Sequence, residues 1–435
     1  MKNYLTLSPE ELATEREVLE TAYERVKRRH LSLNIARGLP SSRQLALSDG
    51  LLTAVTGDDT KSESGAETRQ YGVPDGIPEA ARLLARIAGT SPEHVIVTGT
   101  SSLNTMYDAL SAAMLFGSCE GGIPWCRQDT IKFICVVPGY DRHFAMTELF
   151  GIEMVNVRMT ETGPDMDAVE TLVRDPAVKG MWCVPKFANP TGVTYSTETV
   201  RRIASLRPAS RDFRIFWDNA YAVHDFIGHT DLLDILSLTE GTENEDMVWE
   251  FVSTAKITLP GGGISAFVSG KNNLAWFRKS MSKRTICYDK VNQLRHARFL
   301  PDEEALKKQM EKHAAVIRPK FETVLAAFDR DLAGTGIASY SRPTGGYFIS
   351  LDVLPGTAGE VWRLCSEAGL TLTKAGATFP YGKDPDDRNL RIAPTYPELP
   401  EVEAASEVIT LCVRLAAVRK LMAERTSNEK SVFGD

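Results

Sequence analysis

From about residue 74 the chain alternates short, uniformly apolar runs with longer stretches whose apolar residues recur at helical spacing. An apolar run at 94–98 leads into a helix-compatible stretch at 102–115. Further strand-like runs lie at 131–137, 152–158, 180–184, 213–217, 249–253 and 264–269, with helical patterns such as 196–206 between them. Strands this apolar are buried on both faces, so the pattern predicts an α/β fold with a mostly parallel central sheet covered by helices. The stretch 302–333 reads as one long helical segment joining two domains, and Pro319 within it predicts a kink or break. Beyond it, strand-like 345–351 and 389–393 and helical 358–368 and 401–425 predict a smaller α+β domain, joined by the helical N-terminus. The polar run 57–65, GDDTKSESG, reads as a mobile surface loop.

With 435 residues the chain is long enough for two domains. A formal charge of -7, no long basic cluster and no zinc-type spacing of Cys and His give nucleic-acid binding and a metal site no support. Seven scattered cysteines, mostly in apolar runs, read as reduced thiols filling the core of a cytoplasmic protein. The N-terminus lacks the apolar stretch of a secretory signal, and no segment reads as a membrane span.

Several short strings carry candidate chemistry. Lys256 follows an apolar run ending in Ser253 and leads into a glycine cluster, FVSTAKITLPGGG. A lysine after a strand is more often a solvated loop residue, so its meaning depends on its company. Gly99, Thr100, Ser101 and Ser102 stand between a strand and a helix, where backbone N–H groups and the positive helix end suit a phosphate and where an ordinary N-cap fits equally well. Asp218 ends an apolar strand and is followed by Tyr221; the alternative for Asp218 is a turn residue. Asn189 opens the string NPTG, Tyr140 lies in PGYDRHF, and Arg391 lies in NLRIAPTY.

The order and spacing of these strings resemble the fold type I pyridoxal-phosphate aminotransferases over most of the chain. The resemblance implies a large cofactor domain at 60–310 and a small domain made from 1–59 and 311–435. It also implies pyridoxal 5′-phosphate held by Lys256 as a Schiff base, with Lys256 then serving as base and acid. Asp218 would keep the pyridine nitrogen protonated, Tyr221 and Asn189 would bond the phenolic oxygen, Tyr140 would stack on the ring and Ser253 would touch the phosphate. Arg391 would take the substrate α-carboxylate, and Gly38, in the segment ARGLP beside Arg37, would line the pocket by its backbone. Tyr71, in the segment RQYG before Gly76, resembles the tyrosine that reaches the other subunit's phosphate, which implies a homodimer with shared sites.

One position departs from the pattern. Most class I relatives carry an arginine in the glycine-rich loop as a partner for the phosphate, whereas Gly263 stands there. This glycine, ARGLP and the string 289–296, DKVNQLRH, resemble a divergent bacterial group of aspartate aminotransferases. The resemblance implies aspartate and 2-oxoglutarate as substrates in a ping-pong reaction, with Arg37, Lys290, Arg295 and His296 as unranked candidates for the distal carboxylate. The alternatives are an aminotransferase for aromatic or other amino acids, a β-lyase, or a non-catalytic ligand-sensing protein of aminotransferase type.

Overall fold

The computed structural model describes residues 2–432. Its central sheet has eight strands: β1 Val95–Val97, β2 Lys132–Val137, β3 Glu153–Thr160, β4 Gly163–Pro164, β5 Val178–Cys183, β6 Arg214–Asp218, β7 Val248–Ser253 and β8 Ser265–Val268. Their order across the sheet is β1-β8-β7-β6-β5-β2-β3-β4. The pairings β2/β3, β2/β5, β5/β6 and β6/β7 are parallel, while β1/β8, β7/β8 and β3/β4 are antiparallel. The sheet is therefore mostly parallel, with antiparallel edges.

Alternation along a strand sends successive side chains to opposite faces. Ile215 and Trp217 of β6 and Val248 and Val252 of β7 enter one apolar cluster, while Phe216, Trp249 and Phe251 enter another on the far side. Helices cover both faces. Pro78–Ala88 starts with proline, whose missing N–H costs nothing in the first turn, and stops at Gly89, which adopts φ 79°. Ser102–Phe116 is capped by Ser101 and ends before Gly117.

A second sheet, β9 Ala338–Tyr340, β10 Ile349–Val353 and β11 Asn389–Ile392, is antiparallel in that order. Its apolar cluster includes Leu12 and Leu19 of the helix Pro9–Lys27 and Val408 and Ile409 of the helix Leu399–Val432. Arg414 of the latter also donates to Glu15 of the former at 2.7 Å.

The structure corrects two expectations, a break at Pro319 and cysteines confined to the core. The helix Glu303–Asp331 runs unbroken through Pro319. Leu306 and Met310 anchor its first half in the large-sheet core and Ile317, Phe321, Val324 and Phe328 its second half in the small-sheet core, so burial on both sides of the proline outweighs one missing hydrogen bond. The segment 57–65 lies at the surface, as expected, with only Thr60 and Ser62 buried; Glu63 pairs with Arg82, and its N–H donates to Glu79. Of the seven cysteines, Cys135, Cys183, Cys365 and Cys412 are buried, but Cys126 is exposed and Cys119 and Cys287 lie partly at the surface.

Candidate active site

The C-terminal ends of the parallel strands converge on one cavity of about 550 Å³, the usual place for a ligand in an open α/β sheet. β6 delivers Asp218 and Tyr221, β7 delivers Ser253 and Lys256, the turn after β2 delivers Tyr140, and the segment after β5 delivers Asn189. The helix Ser102–Phe116 brings its N-terminus, with Ser101 and Ser102, to the wall. From the smaller sheet comes Arg391, from the residue just before its strand β10 Phe348, and from the N-terminal segment Arg37, Gly38, Leu39 and Pro40. Residues up to 354 positions apart in the chain thus share one space. A cavity of like size, about 560 Å³, opens beside Cys119, Asp246 and Lys279, but it contains none of these residues.

Asp218 is fixed from one side. His143 Nε2 lies 3.0 Å from Asp218 Oδ2, and since a carboxylate oxygen accepts, the ring donates. The indole of Trp182 stacks on that ring at 4.3 Å and 9° and holds its plane. Asp218 Oδ1 is buried without a partner among the described residues. An orphaned carboxylate oxygen inside a protein is costly, and here it suits a donor placed on a ligand.

Lys256 Nζ stands 5.0 Å from the centre of the Tyr221 ring. Desolvation favours its neutral amine and pulls its pKa below the ordinary lysine value, against the opposing pull of Asp218. Burial, aided by Tyr140 and Asp218, raises the Tyr221 pKa well above normal, so its hydroxyl remains a proton donor. Tyr140, packed edge-on against His143 at 4.9 Å, has its pKa pushed up to about 12 chiefly by burial.

Arg391, 6% exposed, lies over the Phe348 ring and donates to Asp141 Oδ1 at 2.7 Å, to Asn189 Oδ1 at 3.4 Å and to Thr373 Oγ1 at 3.3 Å. Gly38 packs so closely on Phe348 that an added Cβ would sit 2.5 Å from the ring, which explains glycine at this wall. Ser101 performs its capping role, its hydroxyl accepting from Asn104 N at 3.4 Å. Gly99 and Thr100 precede the helix but do not line the cavity.

Tyr71 is 76% exposed and lies outside the cavity of its own chain. Of the distal candidates, only Arg37 lines the cavity. His296 is turned away to Thr258 Oγ1 at 2.9 Å and Asn292 O at 2.8 Å, Lys290 is buried at the start of the helix Lys290–Phe299, and Arg295 follows in the same helix. The sequence reading missed Arg142 and Lys374, two further cations at the cavity, and also Asp141, His143 and Phe348. Asp141 and His143 stood inside the quoted string PGYDRHF, but nothing local shows that they meet residues 250 and 75 positions away. Position 263 has no room for a side chain: a Cβ there would lie 2.8 Å from Thr100 O. The loop is closed instead by Asn292, which donates to the carbonyls of Gly262 and Gly263.

The aspartate amino-transferase family model matches residues 7–425. The aspartate aminotransferase of Corynebacterium glutamicum is 45% identical over 402 residues, covering 92% of this chain and 93% of that one. A crystal structure of an aspartate transaminase from the same organism superposes with a TM-score of 0.94 at 44% identity, covering 96% of this chain and 99% of that one. An α-aminoadipate aminotransferase of Thermus thermophilus, solved with N-(5′-phosphopyridoxyl)-L-leucine, shares the fold at a TM-score of 0.71 and 22% identity over 90% of this chain and 93% of that one. The fold is that of a fold type I aminotransferase. The chain belongs to the aspartate aminotransferase family, and it is an aminotransferase.

Proposed function

We propose that this enzyme transfers the amino group between aspartate and 2-oxoglutarate with pyridoxal 5′-phosphate as cofactor. The observation that carries the reading is the buried, unpartnered Asp218 Oδ1, backed by His143 and sharing a cavity with a lysine whose amine is desolvated. The residues fit the cofactor's four needs: Lys256 for the aldehyde, Asp218 for the pyridine nitrogen, Tyr221 and Asn189 for the phenolic oxygen, and Ser101, Ser102 and Ser253 at the helix end for the phosphate. When bound, the cofactor supplies an electron sink for the charge left on the substrate's Cα. Lys256 Nζ removes the Cα proton and returns it, a task that suits an amine whose neutral form is favoured by burial. Tyr140 supplies a flat, half-buried wall for the ring.

Arg391 orients the substrate by its α-carboxylate, exchanging Asp141 for the incoming anion. Arg37, Arg142 and Lys374 give the cavity mouth a positive character that favours dicarboxylates, in keeping with the name of the Corynebacterium relative. The exposed Tyr71 is suited to a partner subunit's site, which makes a homodimer part of this reading. The division into 60–310 and the two flanking segments is likewise proposed, supported by the separate apolar clusters that the helix Glu303–Asp331 bridges. The free cysteines agree with a reducing, cytoplasmic setting. Profiling kcat/KM for aspartate, glutamate, aromatic and neutral donors tests the substrate reading: aspartate should lead, and a preference for aromatic or neutral donors would overturn it while leaving the aminotransferase class intact.

A further inference from the structure

Behind the cavity a set of buried polar side chains forms a chain of hydrogen bonds that the proposed chemistry does not use. Gln44 stands at the third position of the helix Ser42–Ala46, where its Oε1 accepts from Ser41 N at 3.0 Å in a capping box. That bond commits the oxygen and turns the amide NH₂ inward. Gln44 Nε2 then donates to Tyr347 Oη at 3.0 Å and lies 3.3 Å from His313 Nδ1. Tyr347 Oη donates to Lys256 O at 3.4 Å, and His313 Nε2 lies 2.9 Å from Ile257 O.

The tautomer follows from these partners. A carbonyl can only accept, so His313 carries its proton on Nε2 and leaves Nδ1 to accept from Gln44. Gln309 Nε2 shares the same carbonyl, at 3.2 Å, and reaches Ser48 Oγ at 3.1 Å. Burial lowers the His313 pKa, which favours the neutral ring this arrangement requires. His313 and Tyr347 are each 1% exposed and Gln44 is fully buried.

None of these side chains lines the cavity, yet they connect two of its walls. At one end, Ser41 directly follows the loop Arg37, Gly38, Leu39 and Pro40. At the other end are the carbonyls of Lys256 and the residue after it. Such a network is a liability unless every member is satisfied, and satisfied it rigidifies what it joins.

We propose that His313 is a positioning residue for Lys256: with Gln44 and Tyr347 it fixes the turn bearing the reactive amine against the N-terminal loop of the substrate pocket. The inference rests on the reading of Lys256 as the cofactor-bearing lysine. The test compares holoenzymes carrying His313→Ala, His313→Gln and Tyr347→Phe by thermal melting, by the pH midpoint of the bound cofactor's visible absorption, and by the single-turnover rate with aspartate. Glutamine offers both a donor for Ile257 O and an acceptor for Gln44.

In His313→Ala the midpoint should move by at least about half a pH unit and the rate should fall roughly tenfold, with His313→Gln recovering most of both. Tyr347→Phe, which loses only the hydroxyl that reaches Lys256 O, should move both readouts in the same direction by less, and it decides the matter if the alanine variant does not fold. A lower melting temperature with unchanged midpoint and rate in the folded variants would make the network merely structural and overturn the proposal. A wild-type enzyme without cofactor absorption would instead defeat the underlying reading of Lys256.

Discussion

His143 Nε2 donates to Asp218 Oδ2 at 3.0 Å while Asp218 Oδ1 remains buried and unpartnered. The pair is a half-finished hydrogen-bonding arrangement on a residue that lines the cavity. Breaking one side of a buried charge pair costs about 3–5 kcal/mol, so Asp218→Asn should slow turnover by roughly a hundred- to a few-thousandfold. Pre-steady-state rates with aspartate measure this directly; a loss below about fivefold would reduce Asp218 to a turn residue.

Asp141 occupies the Arg391 guanidinium where a substrate carboxylate is proposed to sit. Arg391→Ala should weaken acidic and neutral donors alike by roughly 2–5 kcal/mol in kcat/KM. Asp141→Asn removes the competitor and should lower KM with little change in kcat. Selective damage to acidic donors in Arg391→Ala would assign this arginine to the distal group instead.

The pH dependence of stability has a definite sign at Glu250. It is buried on β7, accepts from Asn219 Nδ2 at 2.8 Å, and burial lifts its pKa to about 8. The folded protein therefore holds this proton where the unfolded chain, with an ordinary value of about 4.3, releases it. Stability from this group is fully present below the unfolded pKa and is lost as pH rises toward 8, a change on the order of 3–5 kcal/mol. Glu250→Gln keeps the acceptor for Asn219 and should flatten that slope. Denaturant titrations of both proteins from pH 5 to pH 8 compare them; parallel curves would contradict the assignment.

Tyr71, exposed in its own chain, is expected to act in the neighbouring subunit. An inactive Tyr71 variant mixed with inactive Lys256→Ala should regain part of the activity, because one site of each mixed dimer has both residues. With mixed dimers verified by mass and no activity recovered, Tyr71 would have no role across an interface.

What the chain discloses locally and what it hides can be seen in these residues. Asp218 and Lys256 were legible through the family resemblance that the strings around them carry by order and spacing; the strand ends alone would have left a turn residue and a loop lysine. Their supports were not: His143 meets Asp218 only because the turn after β2 and the end of β6 open on the same space, and Gln44 meets His313 across 269 residues. The missing arginine at Gly263 reads as a deficit in sequence, whereas the fold shows a backbone carbonyl oxygen 2.8 Å from where its Cβ would be. The break expected at Pro319 is absent for a related reason, since a local helix-breaking preference carries no information about two cores gripping the helix on either side.

The most direct test of the whole account is to purify wild-type enzyme and Lys256→Ala, load each with pyridoxal 5′-phosphate, reduce with borohydride and locate the cofactor by peptide mass. Wild-type protein should carry the phosphopyridoxyl group on Lys256, and the variant should carry none in the cavity and lack transamination. Label on another lysine of the wild-type chain, or normal transamination by Lys256→Ala, would contradict it.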